Sequence, residues 1–325
     1  MRQPSDLMRS FRFLLVAALL ASNPAAAWSD KPVRFIVPAP PGGTADMVAR
    51  VVGEQVSKDI GQPVIVENKP GGSGAIAGQA VLATAPDGRT LFVGAQNVLT
   101  EVPLVLKLGF DPRNELKPVA EMARSSLVLV AQPKIKAQSL KELVAYAKAN
   151  PGKLSYASYS PGTVSHYAGL VLNRAAGIDL VHVPYKGSPP ALQELVGGQV
   201  PLMFDGLGTS LPLIRAGKLR AIAMASRERT MLLPHVPTFR ELGYAEMQFG
   251  NWIGAIAPAA MAPTLAQKIN AEVQKAVATP QVRERLAALG LDRASPAGPA
   301  ELERSVQADY ERNAAIVKAF NITFD

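Results

Sequence analysis

Short apolar segments alternate with longer amphipathic segments along most of the chain. The short segments are rich in β-branched residues, which predicts strands over residues 33–37, 63–67, 90–94, 127–131, 154–157, 180–183, 200–204, 220–225 and 252–257. The longer segments repeat apolar residues with helical spacing, which predicts helices over residues 45–60, 75–83, 139–150, 165–176, 190–197, 210–216, 265–278, 280–289 and 299–320. This alternation predicts an α/β fold with parallel sheets.

The chain has no single linker rich in glycine and proline that would divide it into two halves. Two apolar crossings predict instead that the chain enters a second lobe at residues 126–131 and returns at residues 251–257. We therefore expect lobe 1 to comprise residues 28–127 and 251–325, and lobe 2 to comprise residues 128–250. Two lobes joined by paired crossings can hinge about a central cleft.

The first 27 residues have the pattern of a secretory signal peptide. Three arginines precede an apolar run over residues 13–21, and three alanines ending at Ala27 provide a small-residue cleavage site. The run is about half of the roughly 20 apolar residues that a membrane span needs. We expect cleavage after Ala27 and a periplasmic mature protein. The alternative is an amphipathic N-terminal helix of a cytosolic protein, but no polar face interrupts the apolar run.

Composition narrows the class of protein further. The 325 residues are 48% hydrophobic and 18% charged, which is typical of a globular chain with a large core. The absence of cysteine excludes disulfides, thiolate metal sites and cysteine nucleophiles. The chain has only three histidines that could bind a metal. We therefore expect no cofactor. The net charge is +8, and the lysines and arginines are scattered among acidic residues. This scattering argues against a nucleic-acid partner. The modest positive charge favours encounter with small anions.

The segment after the first predicted strand combines a Pro–Gly loop with a helix start. Gly42 and Gly43 allow close approach to the backbone, and Thr44 or Asp46 can cap the helix that follows. The free N–H groups at the start of a helix attract anions, so this loop predicts a carboxylate site that needs no arginine. Because a carboxylate repels an anionic ligand, we expect Asp46 to act as a cap or loop anchor.

A second glycine-rich loop follows the strand predicted over residues 63–67. It contains the pattern G-x-G-x-x-A from Gly72 to Ala77, which is also found in dinucleotide fingerprints. Such a site needs an acidic residue about 20 residues downstream, whereas Asp87 is closer and belongs to a Pro-Asp-Gly turn. We therefore interpret this loop as part of a cleft wall.

The third such segment, residues 155–166, places several hydroxyl groups between a strand and a helix. Thr163 fits an N-cap, and the amides that follow it can hold a second anion. Ser158 or Ser160 with His166 would make a secreted hydrolase the alternative, but the G-x-S-x-G pattern of a nucleophile elbow is missing. The ordinary role of a histidine at this position is packing against the first helical turn.

Two further polar residues follow predicted strands. Lys186 is equally consistent with a ligand contact and with a solvated loop charge. Asp205 ends a strand at the carboxyl edge of a sheet, where α/β folds place ligand-binding loops, and its alternative role is to brace the hinge loops. Four aromatic residues suit either a bulky acid or core packing, namely Tyr159, Tyr185, Phe204 and Trp252.

Taken in order, these segments resemble the Bug family, the periplasmic solute receptors of tripartite tricarboxylate transporters. The resemblance extends through W-x-G-x-x-A-P at 252–258 and the C-terminal helices. It rests on P-P-G-G-T-A-D at 40–46, P-G-G-S-G at 70–74, S-Y-A-S at 155–158, G-T-x-x-H at 162–166, H-V-P-Y-K-G at 182–187, M-F-D at 203–205 and I-R-A-G-K-L-R-A at 214–221.

The resemblance implies a two-lobed Venus-flytrap fold of the type II periplasmic binding class. It implies a monomeric receptor, not an enzyme, that captures a small organic carboxylate and presents it to the membrane components of a tripartite transporter. A carboxylate sensor with the same fold is a further alternative. The ligand-binding residues that it implies are Gly42, Gly43, Thr44, Ala95, Gln96, Asn97, Ser158, Gly162, Thr163 and Asp205.

The chain departs from the family pattern at the predicted cleft. Ser160 stands where the family commonly has glycine, Ser73 and Ala77 replace glycines of the second loop, and residues 206–208 read G-L-G in place of N-L-P. Recognition through backbone amides survives these changes. The part of the cleft that contacts the rest of the ligand differs, so the resemblance does not identify the carboxylate.

Overall fold

The computed structural model describes residues 28–319, and the predicted signal peptide lies outside the described residues. Within this range the strands are β1 Val33–Val37, β2 Val64–Asn68, β3 Thr90–Ala95, β4 Leu116–Ala131, β5 Leu154–Ser158, β6 Leu180–Pro184, β7 Leu202–Gly206, β8 Arg220–Met224 and β9 Gly250–Pro258. The helices are α1 Thr44–Ile60, α2 Ala75–Leu82, α3 Asn97–Thr100, α4 Val102–Val105, α5 Pro112–Glu115, α6 Leu140–Ala149, α7 Val164–Ala176, α8 Ser188–Gly197, α9 Leu207–Arg215, α10 Pro263–Ala278, α11 Pro280–Ala288 and α12 Pro299–Ala319.

Each predicted strand and helix overlaps one of these elements, with most ends shifted by one or two residues. The sequence pattern missed the three short helices α3, α4 and α5, which are too brief to show a helical repeat. It also missed the 3₁₀ turn Gly72–Gly74 before α2. Local periodicity therefore identifies the long elements and not the short turns between them.

The prediction of parallel sheets holds for the strands on either side and is wrong for the crossing strands, because the sheet is mixed. Its strand order is β2-β1-β3-β9-β4-β7-β5-β6, with β8 also paired to β4. β1 runs parallel to β2 and β3, and β5 runs parallel to β6 and β7. β4 and β9 pair antiparallel with each other, and each pairs antiparallel with its other neighbours. A chain that crosses between two lobes and returns beside itself has to run antiparallel there.

The long strand β4 joins the two parts of the sheet. Residues 116–126 pair with β9, and residues 127–131 pair with β7 and β8. The first of these stretches was not predicted as a strand, since Pro118 and a fully buried Glu121 interrupt its apolar pattern and two register shifts interrupt its alternation. The Glu121 carboxylate is paired with Arg124 at 2.8 Å and accepts a hydrogen bond from Ser295 N at 2.9 Å.

The described core is divided between two regions, in keeping with a two-lobed fold. Two hydrophobic clusters are built from residues 28–123 and 252–291, and two others from residues 127–249. Helix α12 contacts both regions, because Val306 packs against the first and Ile316 against the second. The exact lobe boundaries given above stay a prediction. None of the helices within residues 28–319 is long and apolar enough to cross a membrane.

Candidate functional site

A cavity of about 550 Å³ lies between the two core regions. Its walls come from the loops that follow β1, β2, β3, β5 and β6, from the end of β7, and from the crossing strands β4 and β9. The crossing strands contribute Ser125, Leu127, Asn251 and Ile253. Because both core regions supply walls, a molecule held here would touch both of them.

Five helices begin at the wall of this cavity, and none of these helix starts carries a side-chain cap. α1, α2, α7, α8 and α9 begin after N-cap residues that line the cavity, namely Gly43, Gly74, Thr163, Gly187 and Gly206. The uncapped N–H groups and the helix dipoles give the cavity a positive potential. They therefore favour an anionic ligand.

Helix starts elsewhere in the described chain show that caps are available to this sequence. Asp111 caps α5, Ser139 caps α6 and Thr279 caps α11 through their side-chain oxygens. These three helices begin away from the cavity wall. α4 and α10 also begin without a side-chain cap and away from the wall. At the five starts on the cavity wall, a ligand can take the place of the capping group.

The loop before α1 is held by Asp46. One carboxylate oxygen of Asp46 accepts a hydrogen bond from Gly42 N at 2.9 Å, and the other accepts from Arg50 Nε and Asn68 Nδ2, each at 2.9 Å. Burial opposes ionisation of this carboxyl, but these hydrogen bonds bring the pKa of Asp46 below its ordinary value. The prediction that Asp46 anchors the loop is confirmed. The prediction that Thr44 or Asp46 caps the helix is wrong, because the N-cap is Gly43 and no side chain caps this start.

The loops on the two sides of the cavity are bonded directly to each other. Ser73 Oγ lies 2.9 Å from Ser160 Oγ and donates a hydrogen bond to Pro161 O at 2.7 Å. Thr163 stands at the N-cap of α7 as predicted, but its hydroxyl donates to Ser160 O at 2.7 Å instead of capping the helix. The second glycine-rich loop forms part of the cavity wall, as predicted.

Two stacked histidines lie beneath the third loop. Ser158 Oγ lies 2.7 Å from His182 Nε2, and the rings of His182 and His166 stack with centroids 3.6 Å apart. Burial lowers the pKa of His166 to about 3 and that of His182 to about 4, so both are neutral at pH 7. Ser158 is fully buried, and Ser160 is bonded to Ser73. These contacts favour structural roles for the serines over the hydrolase alternative.

Asp205 lies behind the cavity wall as a brace. Its carboxylate accepts hydrogen bonds from Ser188 Oγ at 2.5 Å and from Thr209 Oγ1 and Ser210 Oγ, each at 2.6 Å. Burial raises the pKa of Asp205 above its ordinary value, although the three hydroxyls favour the charged form. Since Ser188 begins α8 and the two other hydroxyls lie in α9, this network fixes two helix starts at the wall.

Charged side chains at the wall are basic. Lys107 and Lys186 line the cavity, both are exposed, and neither forms an ion pair within residues 28–319. No aspartate or glutamate is among the described lining residues. In the same range, no cluster of three or more His, Cys, Asp or Glu side chains is arranged to hold a metal ion. The charged side chains at the wall therefore favour an anion.

The structure brings only half of the predicted ligand-binding residues to the wall. The residues that line the cavity are Gly43, Thr44, Ala95, Asn97 and Thr163. The residues that lie outside the lining are Gly42, Gln96, Ser158, Gly162 and Asp205. Gln96, for example, is buried and donates to Asp309 at 3.1 Å. Ligand contact by any of the ten stays a prediction.

Sequence reasoning missed wall residues that lack a local motif. Ser125 and Asn251 belong to the crossing strands, and Leu106 and Leu108 flank Lys107 after a short helix. Nothing in their neighbourhood in sequence marks them as site residues. Of the four aromatic candidates, Tyr159 and Tyr185 line the cavity, whereas the other two are buried in the cores.

The chain is similar to known proteins over nearly its whole length. The sequence profile of the family described as "Tripartite tricarboxylate transporter family receptor" matches residues 48–322. Protein BugT of Bordetella pertussis is 34% identical over 310 residues, which is 94% of each chain. A Cupriavidus necator protein described as "UPF0065 protein in gbd 5'region" is 37% identical over 277 residues, 84% of each chain.

Solved structures show the same architecture. MatC from Rhodopseudomonas palustris with bound malate is 34% identical, with a TM-score of 0.83 over 89% of this chain and 99% of that one. An R. palustris protein solved with adipate is 29% identical, with a TM-score of 0.87 over 91% of this chain and 99% of that one. The periplasmic binding protein BugD is 31% identical, with a TM-score of 0.85 over 91% and 99% of the two chains.

Proposed function

Because this chain belongs to the tripartite tricarboxylate transporter receptor family, we propose that it captures a small organic carboxylate in the cavity and presents it to the membrane components of such a transporter. The proposed receptor acts in the periplasm as a monomer after its signal peptide has been removed. Its lobes comprise residues 28–127 with 251–325, and residues 128–250. The relatives solved with malate and adipate support the carboxylate as the ligand.

The observation that carries this proposal is the set of five uncapped helix starts at one cavity wall. A helix N-terminus contributes about 0.3–1 kcal/mol to holding an anion, and up to about 2 kcal/mol when partly buried. A hydrogen bond to a charged group contributes about 1.5–3 kcal/mol. Four or five such hydrogen bonds contribute about 6–15 kcal/mol before the cost of association is subtracted, and a micromolar complex corresponds to about −8 kcal/mol.

The position of the cavity between the two core regions also accounts for release of the ligand. Loops of both core regions meet across it, as the Ser73–Ser160 contact shows. A ligand that touches both sides favours the closed arrangement by its differential affinity for it, and opening removes the contacts of one side. A receptor that has to hand over its ligand at a membrane needs this reversibility.

Calorimetric titration of the purified protein with mono-, di- and tricarboxylates tests the proposal. We expect one ligand bound per chain, with the bound acid recovered chemically intact by mass spectrometry. Replacing Thr163 with tyrosine places a bulky ring at the wall and should abolish binding, whereas the exposed control Glu246→Gln should not change it. Absence of binding by every carboxylate, or recovery of a hydrolysed ligand, would contradict the proposal.

A further inference from the structure

Two hydroxyl groups from distant parts of the chain converge on one glycine at the cavity wall. A Cβ atom built on Gly206 would lie 3.0 Å from Thr44 Oγ1 and 3.3 Å from Ser125 Oγ. All three residues line the cavity. Within residues 28–319, neither the Thr44 nor the Ser125 hydroxyl forms a hydrogen bond. Both hydroxyls are therefore available to a bound molecule.

The backbone does not require glycine at this position. Gly206 has φ −66° and ψ 136°, an extended conformation that every residue can adopt. The three heavy atoms nearest to such a Cβ are hydroxyl oxygens, of which the third, Thr209 Oγ1, is 3.8 Å away. What glycine preserves is the space in front of Thr44 and Ser125.

Two helix starts converge on the same space. Thr44 is the first residue of α1, and Gly206 is the N-cap of α9. Neither start carries a side-chain cap, so backbone N–H groups are free beside the two hydroxyls. A group that accepts several hydrogen bonds and carries negative charge fits this set of donors, which describes a carboxylate.

Most of the exposed surface of the remaining wall is apolar. The hydroxyls of Ser73, Ser160, Thr163 and Ser188 are already engaged within the protein. A hydroxyl on the body of a ligand that lies against this apolar surface would lose its hydrogen bond to water without gaining another. The apolar side chains of the wall include Phe92, Val98, Leu106, Leu108, Leu127 and Ile253.

We infer that Thr44, Ser125 and the space at Gly206 hold one carboxylate of the ligand, and that the ligand's body is an unhydroxylated hydrocarbon chain or ring. This assignment rests on the proposed function and narrows its ligand to carboxylates with an apolar body. It makes Ser125 and Gly206 binding-site residues although neither belongs to a recognisable binding motif.

The test compares two groups of probes on the purified protein by calorimetry. Adipate, hexanoate and 3-phenylpropionate have apolar bodies, whereas malate and citrate carry hydroxyls. We expect the best probe of the first group to bind at least tenfold more tightly than either hydroxylated acid. For that probe, Gly206→Ala should weaken binding at least tenfold and Ser125→Ala about threefold to tenfold. The matched control Gly197→Ala, which meets no atom within 4 Å, should bind as the unmodified protein does.

Each other outcome overturns a defined part of the inference. Tighter binding of malate or citrate would overturn the apolar body and leave the carboxylate receptor standing. Unchanged affinity in both Gly206→Ala and Ser125→Ala would overturn the anchoring site and likewise leave the receptor standing. Ser125→Ala introduces no new atoms. If Gly206→Ala folds poorly, the affinity of Ser125→Ala alone therefore tests the anchoring site. Failure of every carboxylate to bind would overturn the proposed function itself.

Discussion

Ser73 Oγ lies 2.9 Å from Ser160 Oγ at the wall of the cavity. The two serines belong to loops that come from different sides of the cavity. Ser73 also donates to Pro161 O at 2.7 Å. Ser73 has φ +52°, a left-handed conformation that glycine adopts without strain. The serine is therefore held in an unfavourable conformation in which its side chain bridges the two sides.

Replacing Ser73 with glycine should open the unliganded protein. The change removes the bridge, so the closed arrangement loses stability relative to the open one. Glycine adopts the left-handed conformation without strain, so the fold is retained. We expect a larger radius of gyration by small-angle X-ray scattering and about threefold to tenfold faster ligand dissociation in stopped-flow measurements. Ser226→Ala removes an exposed hydroxyl bonded to Glu228 O and is the control. Equal radii and equal dissociation rates for both variants would contradict a closing role of the bridge.

Asp205→Ala should destabilise the protein. It leaves three buried hydroxyls without their shared acceptor, which costs about 2–4 kcal/mol of unfolding free energy. The starts of α8 and α9 would shift, so ligand affinity should fall as well. Urea unfolding measures the first effect and calorimetric titration the second. The exposed Asp179→Ala is the control, and equal stability of the two variants would show that Asp205 does not brace these helices.

Glu101→Gln should stabilise the protein at alkaline pH and change little at pH 4.5. Burial raises the pKa of Glu101 to about 7, above the ordinary value near 4.5. The stability that this group contributes is therefore full below about pH 4.5 and is lost as the pH rises through 7. Glutamine removes that loss, which is on the order of 2–3 kcal/mol at pH 8. Urea unfolding at both pH values measures it, and an equal effect at the two would contradict the assignment.

The stacked histidines should make the protein sensitive to acid. Burial holds the pKa of His166 near 3 and that of His182 near 4, below the ordinary value near 6.5. The stability that they contribute is therefore full above about pH 6.5 and is lost as the pH falls toward 4. His166→Phe keeps an aromatic ring that cannot titrate, so its unfolding free energy should fall less between pH 7 and pH 4.5. Parallel pH profiles for both proteins would contradict this role.

Much of the fold could be predicted from the sequence because its signals are local. The apolar period of a strand or helix depends on neighbouring residues, and so do the glycine-rich loops that precede α1 and α2. The pattern therefore predicted the order of the long elements and the N-cap position of Thr163, and it placed the start of α1 one residue too late. It failed over residues 116–126, where proline, a buried glutamate and irregular register hide a strand that tertiary pairing stabilises.

The sequence by itself identified two loops, those before α1 and α7, where a helix N-terminus suits an anion. Only the tertiary structure decided that five such starts share one cavity, that Ser125 and Gly206 stand beside Thr44, and that Asp205 lies behind the wall. Groups such as Thr44 and Ser125 are far apart in sequence. Their proximity in the folded protein depends on how the crossing strands pair and how the cores pack, and no local sequence pattern predicts this.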